Sequence, residues 1–178
     1  NVEIAARRTA WGKVINAGQT CVAPDYVFVH EDQRTEFVEA VRLAVKRFYG
    51  DCPYESPDYP RIVHREGTER LARLMHSSGQ VVVGGDVEEK YIAPTVLIDV
   101  ESDSPIMREE IFGPILPVLT YREIDDVIRF VNKREKPLAL YYFGTEREAR
   151  EVLNRTSSGG ACVNDTIVHL ANPRLPFG

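Results

Sequence analysis

The chain has 178 residues, enough for one domain with its own hydrophobic core. Its 43% hydrophobic and 28% charged residues suit a folded globular protein and exclude a disordered chain. A net charge of -5 leaves no basic surplus for a phosphate backbone, so no nucleic-acid partner is expected.

The longest apolar runs, such as Ile115 to Leu119, are too short to span a bilayer, and Pro117 interrupts that one. No charged-then-apolar leader opens the chain, so no secretory signal is expected. The chain begins at Asn1 without a methionine and reads as a piece of something longer. The three cysteines, Cys21, Cys52 and Cys162, form no Cys-x-x-Cys pair. They support neither a disulfide framework nor a metal site, and suit reduced thiols in the cytoplasm.

Ala5 to Ile15 carries helix formers and no Pro, and predicts a helix that stops at Asn16-Ala17-Gly18. Tyr26 to Val29 reads as a buried strand. Asp32 is placed to cap the next helix, where Phe37, Val38, Val41, Ala44, Val45 and Phe48 recur at helical spacing up to Gly50. The Pro-rich stretch to Pro60 is loop, and a helix follows from Arg65 to Ser77 with Leu71, Leu74 and Met75 inward. Val81 to Val83 and Tyr91 to Val100 predict strands, the second broken at Pro94, with an antiparallel pair open as an alternative there. Ile115 to Tyr121 is a strand, and Ile124, Val127, Ile128 and Val131 mark a helix. Leu138 to Phe143 is a strand, Thr145 caps a helix through Asn154, and Gly160 to Val163 is the last strand. Alternation of this kind argues for one α/β domain, a mostly parallel sheet covered by helices.

Chemistry concentrates in Asn16-Ala17-Gly18-Gln19-Thr20-Cys21, where a helix ends, a glycine allows a tight turn and a thiol follows just before a strand. Such a turn leaves backbone N–H groups free near the sulfur, where they favour a thiolate and can hold an oxyanion. A free cysteine is otherwise most often a small buried hydrophobe. Cys162, between Ala161 and Val163 in a predicted strand, fits that bland description, whereas Cys52 lies in a loop before Pro53.

Asn16 to Cys21 resembles the active-site cysteine motif of aldehyde dehydrogenases. Glu109-Glu110-Ile111-Phe112-Gly113-Pro114 resembles a second motif of that family, and Leu175-Pro176-Phe177-Gly178 the start of its C-terminal Gly-rich signature. Tyr91 to Thr95, Arg134 to Tyr141 and Ser157 to Gly160 fall between them in the family's order, so the resemblance covers the chain almost end to end. Cys21 to Val27, Phe48-Tyr49-Gly50 and Ser56 to Ile62 look like the class 3 branch, which oxidises aromatic and medium- to long-chain aliphatic aldehydes.

The resemblance implies that Cys21 attacks a small-molecule aldehyde to give a thiohemiacetal, that hydride passes to NAD or NADP, and that water hydrolyses the resulting thioester. It implies that Glu110 binds the nicotinamide ribose and that Phe112 packs beside the nicotinamide ring. Thr20 and Gln19 would line or shape the site, and His169 would border the substrate entrance. Residues 1–178 would be the nucleophile-bearing catalytic domain, with most of the cofactor domain, the general-base Glu and an oxyanion-hole Asn upstream. Glu3 does not match the family's Glu motif. The oligomerising tail would follow Gly178, class 3 relatives suggest a homodimer, and the separate piece would be inactive. The choice between NAD and NADP stays open, since the residue meeting the ribose 2′ position is not in this sequence.

Two other readings make distinct demands. A cysteine acyltransferase or esterase using Cys21 with His169 requires the two side chains within hydrogen-bond reach. A non-catalytic assembly module requires a buried, inert Cys21.

Overall fold

A computed structural model describes residues 1–175, so Pro176, Phe177 and Gly178 of the terminal string lie outside the described residues. Helix α1 spans Val2–Val14 and is capped by Asn1, whose Oδ1 accepts from the Ile4 amide at 3.1 Å. Its buried positions Ala6, Thr9, Ala10, Lys13 and Val14 recur at helical spacing. This stripe packs along α2 (Arg34–Tyr49), which turns Phe37, Val41, Ala44 and Val45 inward. Burial of each larger side chain stabilises the pair by about 1.5–3 kcal/mol.

Asp32 does not cap α2. Residues Glu31–Gln33 form a 3-10 turn in which the His30 ring accepts from the Asp32 amide, and the helix starts after Gln33 without a side-chain cap. Gly50 ends α2 as expected, at φ 79.

In chain order the strands are β1 (Val27–His30), β2 (Gln80–Val83), β3 (Val87–Glu88), β4 (Tyr91–Ile92), β5 (Thr95–Ile98), β6 (Ile115–Tyr121), β7 (Ala139–Tyr142) and β8 (Gly160–Val163). The remaining helices are α3 (Arg65–His76), α4 (Ile124–Asn132) and α5 (Glu146–Arg155). The main sheet has the order β1-β6-β5-β2. β1 and β5 run parallel to β6, while β2 pairs antiparallel with β5. Ile115 to Leu119 of β6 are all buried, as a strand covered on both faces requires.

The fold is therefore α/β with the expected mostly parallel sheet, and the antiparallel pairing falls in the region from Gly79 to Val100 where that alternative stood open. β3 and β4 add a small antiparallel ribbon that the apolar pattern did not separate from the neighbouring strands. β7, α5 and β8 form a βαβ unit whose two strands pair with each other in a sheet of their own. Thr145 caps α5 with a full capping box, its hydroxyl accepting from the Glu148 amide while the Glu148 carboxylate accepts from the Thr145 amide.

Candidate active site

The Cys21 loop is held by its own amides. After α1, Asn16, Ala17 and Gly18 take left-handed conformations in succession, at φ 52, 50 and 72. Asparagine tolerates this region and glycine favours it, but Ala17 is strained there. The strain is offset by local bonds: Asn16 Nδ2 donates to the Gln19 carbonyl at 2.9 Å, and the Gln19 amide donates to the Asn16 carbonyl at 3.1 Å. The Gln19 side chain then reaches across the chain. Its Nε2 donates to the Arg61 carbonyl at 3.1 Å, and its Oε1 accepts from the Val63 amide at 3.0 Å. Gln19 thus clamps the loop before α3 to the base of the Cys21 loop. Cys21 itself is exposed, and its amide donates to no backbone acceptor among the described residues.

The second motif forms a turn beside that loop. Asp25 Oδ1 accepts from the Ile111 amide at 3.0 Å, and the Arg70 guanidinium donates to the Ile111 and Glu110 carbonyls. Arg70 also pairs with the Glu109 carboxylate at 2.9 Å. Held from both sides, the peptide forces Phe112 to φ 50 and leaves its ring 42% exposed, an orientation an apolar residue would not adopt for burial. Glu110 is exposed next to it. Desolvation pushes the Asp25 carboxyl up from its ordinary range, against the pull of Lys13, the Ile111 amide and Arg70.

The two segments meet backbone to backbone. A Cβ on Gly18 would stand 2.2 Å from the Gly113 carbonyl oxygen, so only glycine allows this crossing. The Cys21 loop and the Glu110–Phe112 turn are therefore one seam, joined at the Gly18–Gly113 crossing.

A third wall comes from β7 and the segment after β8. The Tyr141 hydroxyl donates to the Val22 carbonyl at 2.7 Å, one residue past Cys21. Thr166 is fully buried and donates to the Arg8 carbonyl at 2.9 Å, which ties the segment to α1. His169 lies in this segment, but its Nδ1 faces Cys162 Sγ at 3.3 Å. Among the described residues it makes no contact with Cys21 of the kind an acyltransferase dyad needs. The assembly-module reading fails as well, because Cys21 is exposed.

Between these walls opens a cavity of about 1050 Å³, lined among others by Thr20, Cys21, Glu110, Phe112 and Tyr141. Of the residues singled out from the sequence, four converge on it, while Gln19 and His169 stand behind its walls. Asp25 and Arg70 escaped the sequence reading, although Asp25 lies in the Cys21–Val27 string and its spacing four residues after Cys21 was there to be seen. No group of His, Cys, Asp and Glu suited to a metal ion occurs among the described residues. No helix there is long and apolar enough to cross a membrane.

The fold and sequence match known proteins along the whole chain. A mouse aldehyde dehydrogenase family 3 member B1 is 50% identical over 99% of this chain and 38% of its own length. A mouse aldehyde dehydrogenase described as dimeric and NADP-preferring is 46% identical over 100% of this chain and 40% of its own. A substrate-bound Staphylococcus aureus AldH superposes with a TM-score of 0.97 and 48% identity, again over 100% of this chain and 40% of that one. The chain thus spans about 40% of the length of such relatives. The description "Aldehyde dehydrogenase family" matches residues 1–178, and the chain belongs to that family.

Proposed function

We propose that this chain supplies the nucleophile-bearing part of an NAD(P)-dependent aldehyde dehydrogenase, with Cys21 as the attacking thiol. The observation that carries the reading is the exposed Cys21 sharing a cavity wall with Glu110 and Phe112 across a glycine-only backbone crossing. As thiolate, Cys21 adds to the aldehyde carbon, a C–S bond forms, and the carbonyl electron pair moves to oxygen. The free Cys21 amide is a donor for that oxyanion. NAD(P), which Glu110 and Phe112 would hold, would supply the hydride acceptor when bound, and loss of that hydride would leave a thioester on Cys21. Water then cleaves the thioester and returns the thiol, with the base for that step supplied by a part of the enzyme preceding Asn1.

Glu110 is placed to accept hydrogen bonds from ribose hydroxyls, and Phe112, exposed against its apolar nature, to pack on a flat ring. Thr20 lines the mouth and Gln19 shapes it by fixing the loop at Arg61–Val63. His169 borders the far wall. The family 3 likeness favours aromatic and longer aliphatic aldehydes, and the dimeric relative favours a homodimer. Unpaired cysteines in the described residues are in keeping with a cytoplasmic setting.

The test is nicotinamide reduction with benzaldehyde and octanal by a complete enzyme carrying this segment. Cys21→Ala should lower kcat by more than about a thousandfold. Retention of most of the activity would sink the reading. The 178 residues alone should show no native-like turnover.

A further inference from the structure

Lys13 is the anomaly of α1. It falls within an inward stripe of otherwise small or apolar residues, is 2% exposed, and its Nζ has no hydrogen-bond partner among the described residues. A lysine usually threads its ammonium out to water, and this one does not. A buried, unpaired ammonium destabilises a fold, and a methionine of similar length would pack there without that cost. A charge at so costly a position calls for a role beyond packing.

The surroundings indicate what that role is. The charges that pull on Lys13 are those of Asp25, from the stretch before β1, and Glu110, from the turn before β6, neither of which pairs with it directly. Arg70 of α3 faces Asp25 in turn and pairs with Glu109. Asp25 holds the Ile111 amide, between Glu110 and Phe112. The Lys13 carbonyl itself lies 3.0 Å from where a Gly18 Cβ would stand, so the residue's backbone is the floor of the crossing between loop and turn.

We propose that Lys13 is a positioning residue: its backbone carbonyl abuts Gly18 at the Gly18–Gly113 crossing, and its buried charge attracts Asp25 and Glu110 and so holds the 109–113 turn against the Cys21 loop. It thereby fixes where the Glu110 carboxylate stands relative to the thiol. The proposal deepens the reading of Glu110 as a cofactor contact and rests on it for its catalytic consequence. Burial lowers the Lys13 pKa to about 8, against the pull of Asp25 and Glu110, so the hold is present at neutral pH and fades as pH rises through that value.

Lys13→Met keeps the length and removes the charge. In the isolated chain its melting midpoint should hold or rise, while hydrogen exchange at the Ile111–Gly113 amides speeds up about tenfold. A residue that merely fills space gives the opposite pair, a lower midpoint with unchanged exchange, and that result, or a variant that does not fold, overturns the proposal. In the complete enzyme the KM for NAD(P) should rise about tenfold at pH 7 with kcat within about threefold. With native Lys13 that KM should rise above pH 8, and in Lys13→Met this rise should be absent. Glu110→Gln, measured alongside, separates the two claims. If Lys13→Met loosens the turn but neither variant changes KM, the cofactor reading of Glu110 fails and the positioning role stands. If Glu110→Gln raises KM and Lys13→Met changes neither exchange nor KM, the Lys13 proposal fails alone.

Discussion

Cys21 and Cys162 carry the same thiol into opposite surroundings. Cys21 is exposed on a loop of left-handed residues and faces a cavity. Cys162 is buried on β8 and has a histidine nitrogen at 3.3 Å. A histidine beside a thiol commonly signals an activated nucleophile. Here the environment works against it: burial pushes the Cys162 thiol up and the His169 imidazole down. Charge transfer would require the reverse order, so at neutral pH the pair stays a neutral thiol beside a neutral imidazole. Access to a cavity, not the nearest base, marks the candidate nucleophile.

The sharpest way to break that contrast is to let the thiols compete. Iodoacetamide on the native chain at pH 7.5, read by peptide mass spectrometry, should label Cys21 on the order of a thousandfold faster than Cys162. Comparable rates would mean that β8 opens readily or that the His169 pair is reactive, and the contrast would collapse.

The Cys21 side is also the side where backbones touch. Gly18→Ala adds a methyl 2.2 Å from the Gly113 oxygen and imposes a side chain at φ 72. It should cost about 3 kcal/mol or more in urea unfolding. A loss under about 1 kcal/mol would show that the seam yields, and that the thiol's position is not fixed by the crossing.

Much of this was legible in the sequence, and the exceptions have a common cause. Short ordered strings carry Cys21, Glu110 and Phe112, which line one cavity, and α5 is marked by the local capping box of Thr145 and Glu148. What escaped depends on partners distant in sequence. Arg70 meets residues about forty positions away, and the Cys162–His169 pair exists only once the segment after β8 folds back. Ala17 at φ 50 carries no sequence signal, since alanine avoids that conformation unless its neighbours impose it. Asp32 shows the opposite failure: a good capping residue falls inside the 3-10 turn, one position before the Gln33 N-cap, and so has no capping role in α2. Lys13 was detectable, as a charge seven residues after Ala6 on the inward stripe of α1.

That charge gives the next test, since burial acts on the two regions differently: it silences the thiol of Cys162 and strains the ammonium of Lys13. With the folded pKa near 8 and the unfolded value at an ordinary 10.5, the unfolded chain binds the extra proton between those pH values. Stability should therefore rise with pH across that window. The advantage of Lys13→Met should be full below pH 8, roughly 3 kcal/mol, and fade to nothing near 10.5. A difference between the variants that stays flat from pH 7 to 10.5 would mean that Lys13 is not held charged and dry in the fold.

The smallest expected effect probes the link between the two regions. The Tyr141 hydroxyl donates to Val22 beside Cys21, and its ring lies 5.9 Å from that of His169, the partner of Cys162. Tyr141→Phe keeps the ring and removes the hydroxyl, so it should cost only about 1 kcal/mol, the net worth of one hydrogen bond. Its effect should also be lopsided. The Cys21 loop loses a tether and its amide exchange should speed up, whereas Cys162, held by the β8 ladder and its own burial, should stay as slow to alkylate as before. If Cys162 became reactive in step with Cys21, the two cysteine environments would be one cooperative unit, and the contrast between them would be a matter of exposure alone.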